Sequence, residues 1–162
     1  METLNCETML PQQQIINPSP DCEIVSRRLV NTPQKIVYEA WTNPDHLKNW
    51  WGPAGFTNTF MEHDLRPGGK WSFIMHGPVK GNYRNECIFI IIDEPNLLVW
   101  NHVSPPEFQV VATFTPVEAE KTRVTFRQIF MTAEACNKVK KFATGKNEEN
   151  FDRLEFELQK MI

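Results

Sequence analysis

The sequence predicts an α+β domain in which an antiparallel sheet of six or seven strands is covered by a helical C-terminus. Successive strand-like segments are joined by short turns rich in proline and glycine, which is typical of an antiparallel meander. The C-terminal segment instead repeats its apolar residues at helical spacing. Because the sheet and the helix each have one apolar face, we expect them to pack against each other.

The chain has 162 residues, which is enough for one domain with a substantial core. We expect this domain to span residues 22–162. It follows a polar N-terminal arm, residues 1–21, which contains three prolines and a run of three glutamines. Loose attachment and disorder both remain open for the arm.

Composition narrows the class of protein. The net charge is −3 and no basic face is concentrated, which argues against nucleic-acid binding. The four cysteines lie far apart without a C-x-x-C pair, which favours a reduced, cytoplasmic protein. The N-terminus lacks the pattern of a secretory signal, and the longest apolar run, near Ile88–Ile92, is too short to cross a membrane.

Two short helices are predicted after a first strand at Cys22–Val30. Thr32-Pro33 combines an N-cap residue with a proline suited to the first helical position, so one helix begins there. Asn43-Pro44 repeats this signal and begins a second helix. Gly52-Pro53 ends it, because glycine tolerates the left-handed cap and proline cannot continue a helix.

The middle of the chain is predicted to form the rest of the sheet. Arg66-Pro67-Gly68-Gly69 is a turn by its proline and glycine chemistry. In the segment Leu97–Val103, periodicity does not decide whether Trp100 and His102 or their neighbours face the core. The predicted strands are Phe56–His63, Trp71–His76, Tyr83–Ile92, Leu97–Val103, Phe108–Thr115 and Thr122–Phe130.

The C-terminal segment is predicted to be helical, with Thr132 as its N-cap and a break or kink at Gly145. In its second part Arg153 is spaced to form ion pairs with Glu149 and Glu157 on the solvent side. The opposite side carries an apolar stripe formed by Phe151, Leu154, Leu158 and Met161.

Two motifs, Trp50-Trp51-Gly52-Pro53 and Asp64-Leu65-Arg66-Pro67-Gly68-Gly69, carry a resemblance to a known family. With Ala40-Trp41-Thr42-Asn43-Pro44 and Trp71, they resemble the START-like (SRPBCC) superfamily. The most similar branch is related to the C-terminal domain of the activator of the heat-shock chaperone ATPase. The resemblance covers about residues 22–162. It implies a helix-grip fold, in which a curved six- to seven-stranded antiparallel sheet wraps around a long C-terminal helix.

The resemblance also bears on function. Relatives with this fold bind lipids, hormones or polyketides between the sheet and the helix, and some are cyclases or hydrolases. Family members often carry Gly-Trp at the start of the last helix, where this chain has Gly145-Lys146-Asn147. A missing tryptophan there would enlarge or open that end of the cavity, unless another ring fills it.

Aromatic residues supply the main functional signal, because many lie on elements that could face one space. A closed core is the ordinary use of buried aromatic residues, whereas the helix-grip geometry favours a pocket. The two interpretations remain open. The candidate cavity-lining residues are Trp51, Phe56, Trp71, Phe73, Met75, Phe89, Trp100, Phe114, Phe126, Gln128, Phe130, Phe151 and Leu154.

Polar residues give weaker signals. Gln128 is in phase with inward apolar residues, so it either orients a ligand or is satisfied by the backbone. Glu62-His63-Asp64 suggests acid–base chemistry, but its overlap with the turn motif favours a structural role for Asp64 and Arg66. The histidines lack metal-ligand spacing, and no nucleophile elbow or phosphate-binding loop is present. We therefore assign no catalytic residue, metal ligand or cofactor.

Three functional hypotheses follow. The first is binding of a small apolar molecule without catalysis. The second is a chaperone-partner module, with a heat-shock chaperone as the partner. The third is a cyclase- or hydrolase-like enzyme acting on a hydrophobic substrate, which requires polar groups that converge in the cavity. A homodimer is also open, because an open sheet has two free edges.

Overall fold

The computed structural model describes residues 14–162 of the chain. A single 3-10 turn at Pro20–Cys22 precedes the first strand. In chain order the elements are β1 (Glu23–Val30), α1 (Gln34–Thr42), α2 (Pro44–Trp50), β2 (Thr57–His63), β3 (Lys70–His76), β4 (Asn82–Asp93), β5 (Leu97–His102), β6 (Phe108–Glu118), β7 (Lys121–Ile129) and α3 (Ala133–Met161).

The strands form one antiparallel sheet in the order β1-β7-β6-β5-β4-β3-β2. After β1, the chain passes through α1 and α2 to β2 at the opposite edge, and then returns strand by strand until β7 pairs with β1. Register shifts in β2, β4 and β6 mark β-bulges, which bend and twist strands. The sheet curves around α3, and the predicted helix-grip fold is confirmed.

The two short helices begin differently. The N-cap of α1 is Pro33, whose carbonyl oxygen accepts the first helical N–H groups. Thr32 is buried, and its carbonyl oxygen accepts a hydrogen bond from the hydroxyl of Thr122 in β7. The prediction of Thr32 as the N-cap is therefore wrong, because this residue joins α1 to the sheet. The predicted cap of α2 is confirmed, since the Asn43 side chain accepts a hydrogen bond from the amide of Asp45.

The C-terminal helix is continuous over its 29 residues, so the predicted break at Gly145 is wrong. A glycine in a helix interior costs only about 1 kcal/mol relative to alanine. Gly145 lies on the exposed side of α3, where no other atom competes for its space. Packing of α3 on the sheet before and after this residue outweighs that small cost. The predicted N-cap holds, because Thr132 accepts a hydrogen bond from the amide of Ala135.

The predicted ion pairs of Arg153 are also wrong. Its guanidinium group forms no ion pair with either carboxylate and instead donates to five backbone carbonyl oxygens, from Asn49 near the end of α2 to Phe56 just before β2. Glu149 accepts from the amide of Ala54, and Glu157 accepts from Asn49 and contacts His46. The loop carbonyls after α2 lack helical partners, and the guanidinium supplies the donors they need.

Most of the core lies between the concave face of the sheet and the helices. The stripe predicted on α3 is confirmed, since Phe151, Leu154 and Leu158 are buried and Met161 packs against the same core. A smaller cluster lies on the outer face of the sheet, where Ile16 packs against buried aliphatic side chains of β4 to β7.

The segment just before the first strand is held to this outer face by hydrogen bonds. The amide of Ile16 donates to Oε1 of Gln109, and Nε2 of Gln109 donates to the carbonyl oxygen of Gln14. Gln109 is fully buried under this segment. The expectations for residues 1–13 lie outside the described residues.

Candidate ligand cavity

A cavity of about 230 Å³ lies between the concave face of the sheet and the middle of α3. The α2–β2 loop forms one wall, strands β3 to β7 form the floor, and one stripe of α3 forms the roof. The cavity therefore occupies only part of the space between sheet and helix, and a packed core fills the rest.

Tryptophan and phenylalanine rings form much of the wall. The Trp71 and Phe73 rings stack with centroids 4.4 Å apart, and the Trp71 ring meets the Trp100 ring edge-on at 5.4 Å. Trp51 comes from the loop and contacts the Trp71 ring at 5.5 Å. Of the predicted lining residues, those that border the cavity are Trp51, Trp71, Phe73, Met75, Trp100, Phe126 and Gln128.

The other predicted lining residues do not border the cavity. Phe89, Phe114, Phe151 and Leu154 are buried in the main core. Phe114 meets the ring of Trp41 from α1 at 5.5 Å, so helix α1 fills this end of the space. For these residues the closed-core interpretation holds.

The last two residues of the predicted set lie elsewhere. Phe130 comes after the end of β7 and belongs to a separate cluster with Ile24 and Cys136. Phe56 lies in the loop before β2, where its ring contacts that of Tyr83 at 6.1 Å. A role in binding a ligand stays a prediction for the residues that do border the cavity.

Sequence reasoning missed the contribution of α3. Val139, Phe142, Ala143, Lys146 and Asn150 all line the cavity at helical spacing. This stripe was hidden because the predicted break at Gly145 divided it between two helices. A continuous helix aligns residues three and four apart on one face, and this periodicity is the signal that could have found them.

Gln128 is engaged by α3. Nδ2 of Asn147 donates to Oε1 of Gln128 at 3.0 Å and to the hydroxyl of Ser26 at 3.2 Å. Gln128 is 8 % exposed, and its Nε2 has no hydrogen-bond acceptor among residues 14–162. The oxygen of this amide therefore bonds to the helix and not to the backbone, while its nitrogen is unpaired within the described part of the chain.

The inward phase of β5 is now decided, because Leu98, Trp100 and His102 face the concave side. The His102 ring stacks on Phe108 with centroids 4.6 Å apart. Its Nδ1 lies 2.9 Å from the carbonyl oxygen of Pro106, and its Nε2 lies 2.7 Å from the side-chain amide of Asn85. Burial lowers the pKa of His102, although hydrogen bonds from the ring partly oppose this shift. This lowered pKa favours the neutral form of the ring.

The loop that bounds the cavity is held in place from α3. Gly52 has a φ of +99°, a backbone conformation that glycine adopts without strain. A Cβ atom there would also lie 2.7 Å from Cε of Met75. The Gly52 amide donates to Oδ1 of Asn150, and Arg153 binds the carbonyl oxygens that follow. The Trp-Trp-Gly-Pro motif thus places Trp51 against the cavity.

The Glu62-His63-Asp64 segment lies outside the cavity lining. Asp64 is paired with Arg66 at 2.7 Å on the exposed side of the turn. Burial lowers the pKa of His63, whose ring stacks on that of Phe60. Both contacts fit the structural role that we expected for this segment.

Residues 14–162 hold no group of three histidine, cysteine or acidic side chains that could bind a metal ion. Within the same residues, no helix is both long enough and apolar enough to span a bilayer.

The curved sheet, the gripping helix and the cavity between them define a START-like protein. A family profile described as "Activator of Hsp90 ATPase homolog 1-like protein" matches residues 31–159. The chain therefore belongs to this family, and the resemblance in its sequence motifs is confirmed. No curated protein matches the sequence.

Solved structures of bacterial proteins share the fold. A Nitrosomonas europaea protein has 20% sequence identity and a TM-score of 0.81, with 91% of this chain and 100% of that chain covered. An Arthrobacter aurescens protein has 21% identity and a TM-score of 0.80, with 93% of each chain covered. A Rhodobacter sphaeroides protein has 23% identity and a TM-score of 0.79, with 92% and 99% covered. At these identities the likeness establishes the fold alone.

Proposed function

We propose that the protein binds a small apolar molecule in the cavity between the sheet and α3. The observation that carries this proposal is an aromatic-walled space of about 230 Å³, left open beside a tightly packed core. An apolar cavity of about 150 Å³ accommodates benzene. This larger space suits a compound of about two fused rings.

The fixed walls of the cavity support this proposal. Arg153 and Asn150 tie the α2–β2 loop to α3, and Asn147 ties α3 to β7. Walls held in this way lose little conformational entropy when a ligand enters, so more of the contact energy contributes to affinity.

An enzymatic role has less support from the same geometry. The third hypothesis required a carboxylate near Gln128 and His102 to act as an acid or base. Among the described residues, none of those lining the cavity is an aspartate or a glutamate. Binding without catalysis is therefore the function that this site supports best.

The test is a titration with 2-naphthalenemethanol, a neutral two-ring probe, followed by quenching of tryptophan fluorescence. Ala143 lines the cavity, whereas the next residue, Thr144, is exposed on the other side of α3. We expect saturable binding that Ala143→Phe weakens at least tenfold by filling the space. Thr144→Phe is the matched control and should bind like the parent protein.

Two results would overturn the proposal. One is the lack of saturable binding across a broad library of apolar compounds of this size. The other is equal affinity in the parent protein and in an Ala143→Phe variant whose circular dichroism and melting temperature are native-like.

A second candidate function is suggested by the family description, which names activation of the Hsp90 ATPase. Lys138, Lys140, Lys141 and Lys146 form a basic segment of α3, and all four are exposed. Such a group could contact an acidic surface of a chaperone. The ATPase rate of Hsp90 with and without the protein tests this candidate. An unchanged rate and no co-purification would remove it.

Three further expectations also remain proposals. A cytoplasmic location fits Cys22, Cys87 and Cys136, which are free thiols in the described part of the chain. A homodimer would use the edge strands β1 and β2. The domain is proposed to comprise residues 22–162, preceded by the arm.

A further inference from the structure

The polar groups of the cavity are not distributed evenly around it. Gln128 from β7 and Lys146, Asn147 and Asn150 from α3 lie along the seam where the helix meets the sheet. The opposite wall carries the rings of Trp71, Phe73 and Trp100, and its polar side chains, Asn85 and His102, are hydrogen-bonded to each other. A ligand in this cavity therefore meets a mainly aromatic wall on one side and a polar seam on the other.

The hydrogen-bond acceptors of the seam are partly engaged. Oε1 of Gln128 accepts from Asn147, and Oδ1 of Asn150 accepts from the amide of Gly52, which leaves each oxygen one further lone pair. Among residues 14–162, Nε2 of Gln128, Nδ2 of Asn150 and the ammonium group of Lys146 have no hydrogen-bond partner. The free hydrogens on these donors therefore outnumber the free lone pairs on the amide oxygens of the seam.

The charge of the lining is positive. Lys146 forms no ion pair with any of residues 14–162, and none of the described lining residues is acidic. His102 also lines the cavity, and burial lowers its pKa, which favours the neutral ring. This positive site lies in a protein whose net charge is −3.

A solvated lysine on a helix surface is the ordinary alternative. Two features distinguish Lys146 from such a residue. It lies one helical turn from Phe142 and from Asn150, and all three border the cavity. Phe142 is also 57% exposed, so much of its ring surface is available to a ligand. A ligand that places its ring under Phe142 would bring a polar substituent close to Lys146.

We propose that the ligand is an organic monoanion, with an apolar body of about two rings and a single carboxylate bound at Lys146, Gln128 and Asn150. A carboxylate accepts several hydrogen bonds and carries the charge opposite to that of the ammonium group. The proposal rests on the proposed function, since it names the chemical class of ligand for the same cavity.

The test compares 2-naphthoate with 2-naphthalenemethanol, which has the same rings and no charge, by calorimetry at pH 7.5. We expect the anion to bind at least tenfold more tightly than the alcohol. Lys146→Met keeps the length of the side chain and removes the charge, so it should weaken 2-naphthoate about tenfold and leave the alcohol unchanged. Lys146→Arg should retain most of the preference.

Lys141→Met is the matched control, because Lys141 is exposed on α3 and does not line the cavity. It should leave both affinities unchanged. If both probes bind equally and Ala143→Phe excludes both, the apolar-ligand function stands and the anion proposal is overturned. The anion proposal is also overturned if Lys146→Met leaves the ratio of the two affinities unchanged. If neither probe nor any related compound binds, both proposals are overturned.

Discussion

Replacing Arg153 with methionine tests whether this one side chain holds the α2–β2 loop against α3. The guanidinium group donates to the carbonyl oxygens of Asn49, Trp51, Gly52, Pro53 and Phe56 at 2.9–3.2 Å. Methionine retains much of the length and the apolar stem but has no donor. The substitution therefore removes the hydrogen bonds and preserves most of the packing.

The expected loss can be worked from these contacts. Nη1 offers two hydrogens to three carbonyl oxygens, so the five contacts count as roughly four hydrogen bonds, each contributing about 1 kcal/mol. Burial lowers the pKa of Arg153, which indicates that its charge is partly desolvated. Removal of the charge recovers part of that cost. We expect a net loss of about 3 kcal/mol in the free energy of unfolding, or roughly 10 °C in melting temperature.

Urea denaturation measures this loss directly, since an unchanged slope with a lower midpoint reports lost stability. Arg153→Lys keeps a charge but has fewer donors, so it should fall between the parent protein and Arg153→Met. Arg84→Met is the surface control, because the Arg84 side chain is 70% exposed and, among residues 14–162, pairs only with Glu86 at 3.1 Å. A loss below about 1 kcal/mol for Arg153→Met, or one equal to that of the control, would refute the reasoning.

Three further predictions concern single groups. Tyr38 is 3% exposed, and its hydroxyl has no hydrogen-bond partner among the described residues. Burial is the main cause, and nearby carboxylates a smaller one, that raises the pKa of Tyr38 to about 12. Tyr38→Phe should therefore raise the free energy of unfolding by about 1 kcal/mol. It should also remove the loss of stability that we expect in the parent protein above pH 10. A destabilised variant would contradict this prediction. Burial opposes ionisation of Glu157, but contacts with His46 and Asn49 outweigh it and lower its pKa below the ordinary 4.5. The carboxylate therefore contributes stability above pH 4.5, and this contribution is lost as pH falls through the lowered pKa. The free energy of unfolding from urea curves should fall less steeply with decreasing pH in Glu157→Gln than in the parent protein, and an equal fall in both would contradict this. Gly145→Ala should raise the melting temperature through a gain of about 0.5–1 kcal/mol, and an unchanged or lower value would show that the helix needs flexibility there.

Much of the fold could be predicted from the sequence, because the ends of its helices and the positions of its turns depend on local chemistry. Asn43-Pro44 can begin a helix with little help from the rest of the chain. The Arg66-Pro67-Gly68-Gly69 turn is closed by the bond from the Gly69 amide to the Arg66 carbonyl oxygen, and bonds between its glycines and Phe89 then fix it to β4. Gly69 illustrates why this motif is restrictive, since a Cβ atom there would overlap the carbonyl oxygen of Asp64. Features of this kind depend on residues close in sequence, so a pattern can reveal them.

The misassigned features depend on distant partners. Arg153 looked like half of a surface ion pair until the loop after α2 brought five carbonyl oxygens to it. Gly145 looked like a helix break because sequence alone does not show the sheet that packs against both halves of α3. Local propensity was outweighed by tertiary contacts in each case.

The cavity was only half predictable, for a related reason. Phe114 and Phe126 were both expected on elements that could face one space, and both lie in the main core. Whether a helix fills the space in front of each ring depends on the path of α1, which covers Phe114 and leaves Phe126 beside the cavity. The periodicity of a strand indicates the side to which a side chain points, but not whether another element fills the space opposite that side chain.

The pairing of β1 with β7 also determines the order in which this chain can fold during its synthesis. Glu23 lies opposite Ile129, so β1 reaches its partner only after about a hundred further residues have been made. At typical rates of translation this delay lasts roughly 5–20 s. Throughout that time the strand β1, with its apolar Ile24 and Val30, lies on the ribosome without its neighbour. The first strand to be synthesised is thus among the last to become ordered, and nascent-chain binding factors have that interval in which to act.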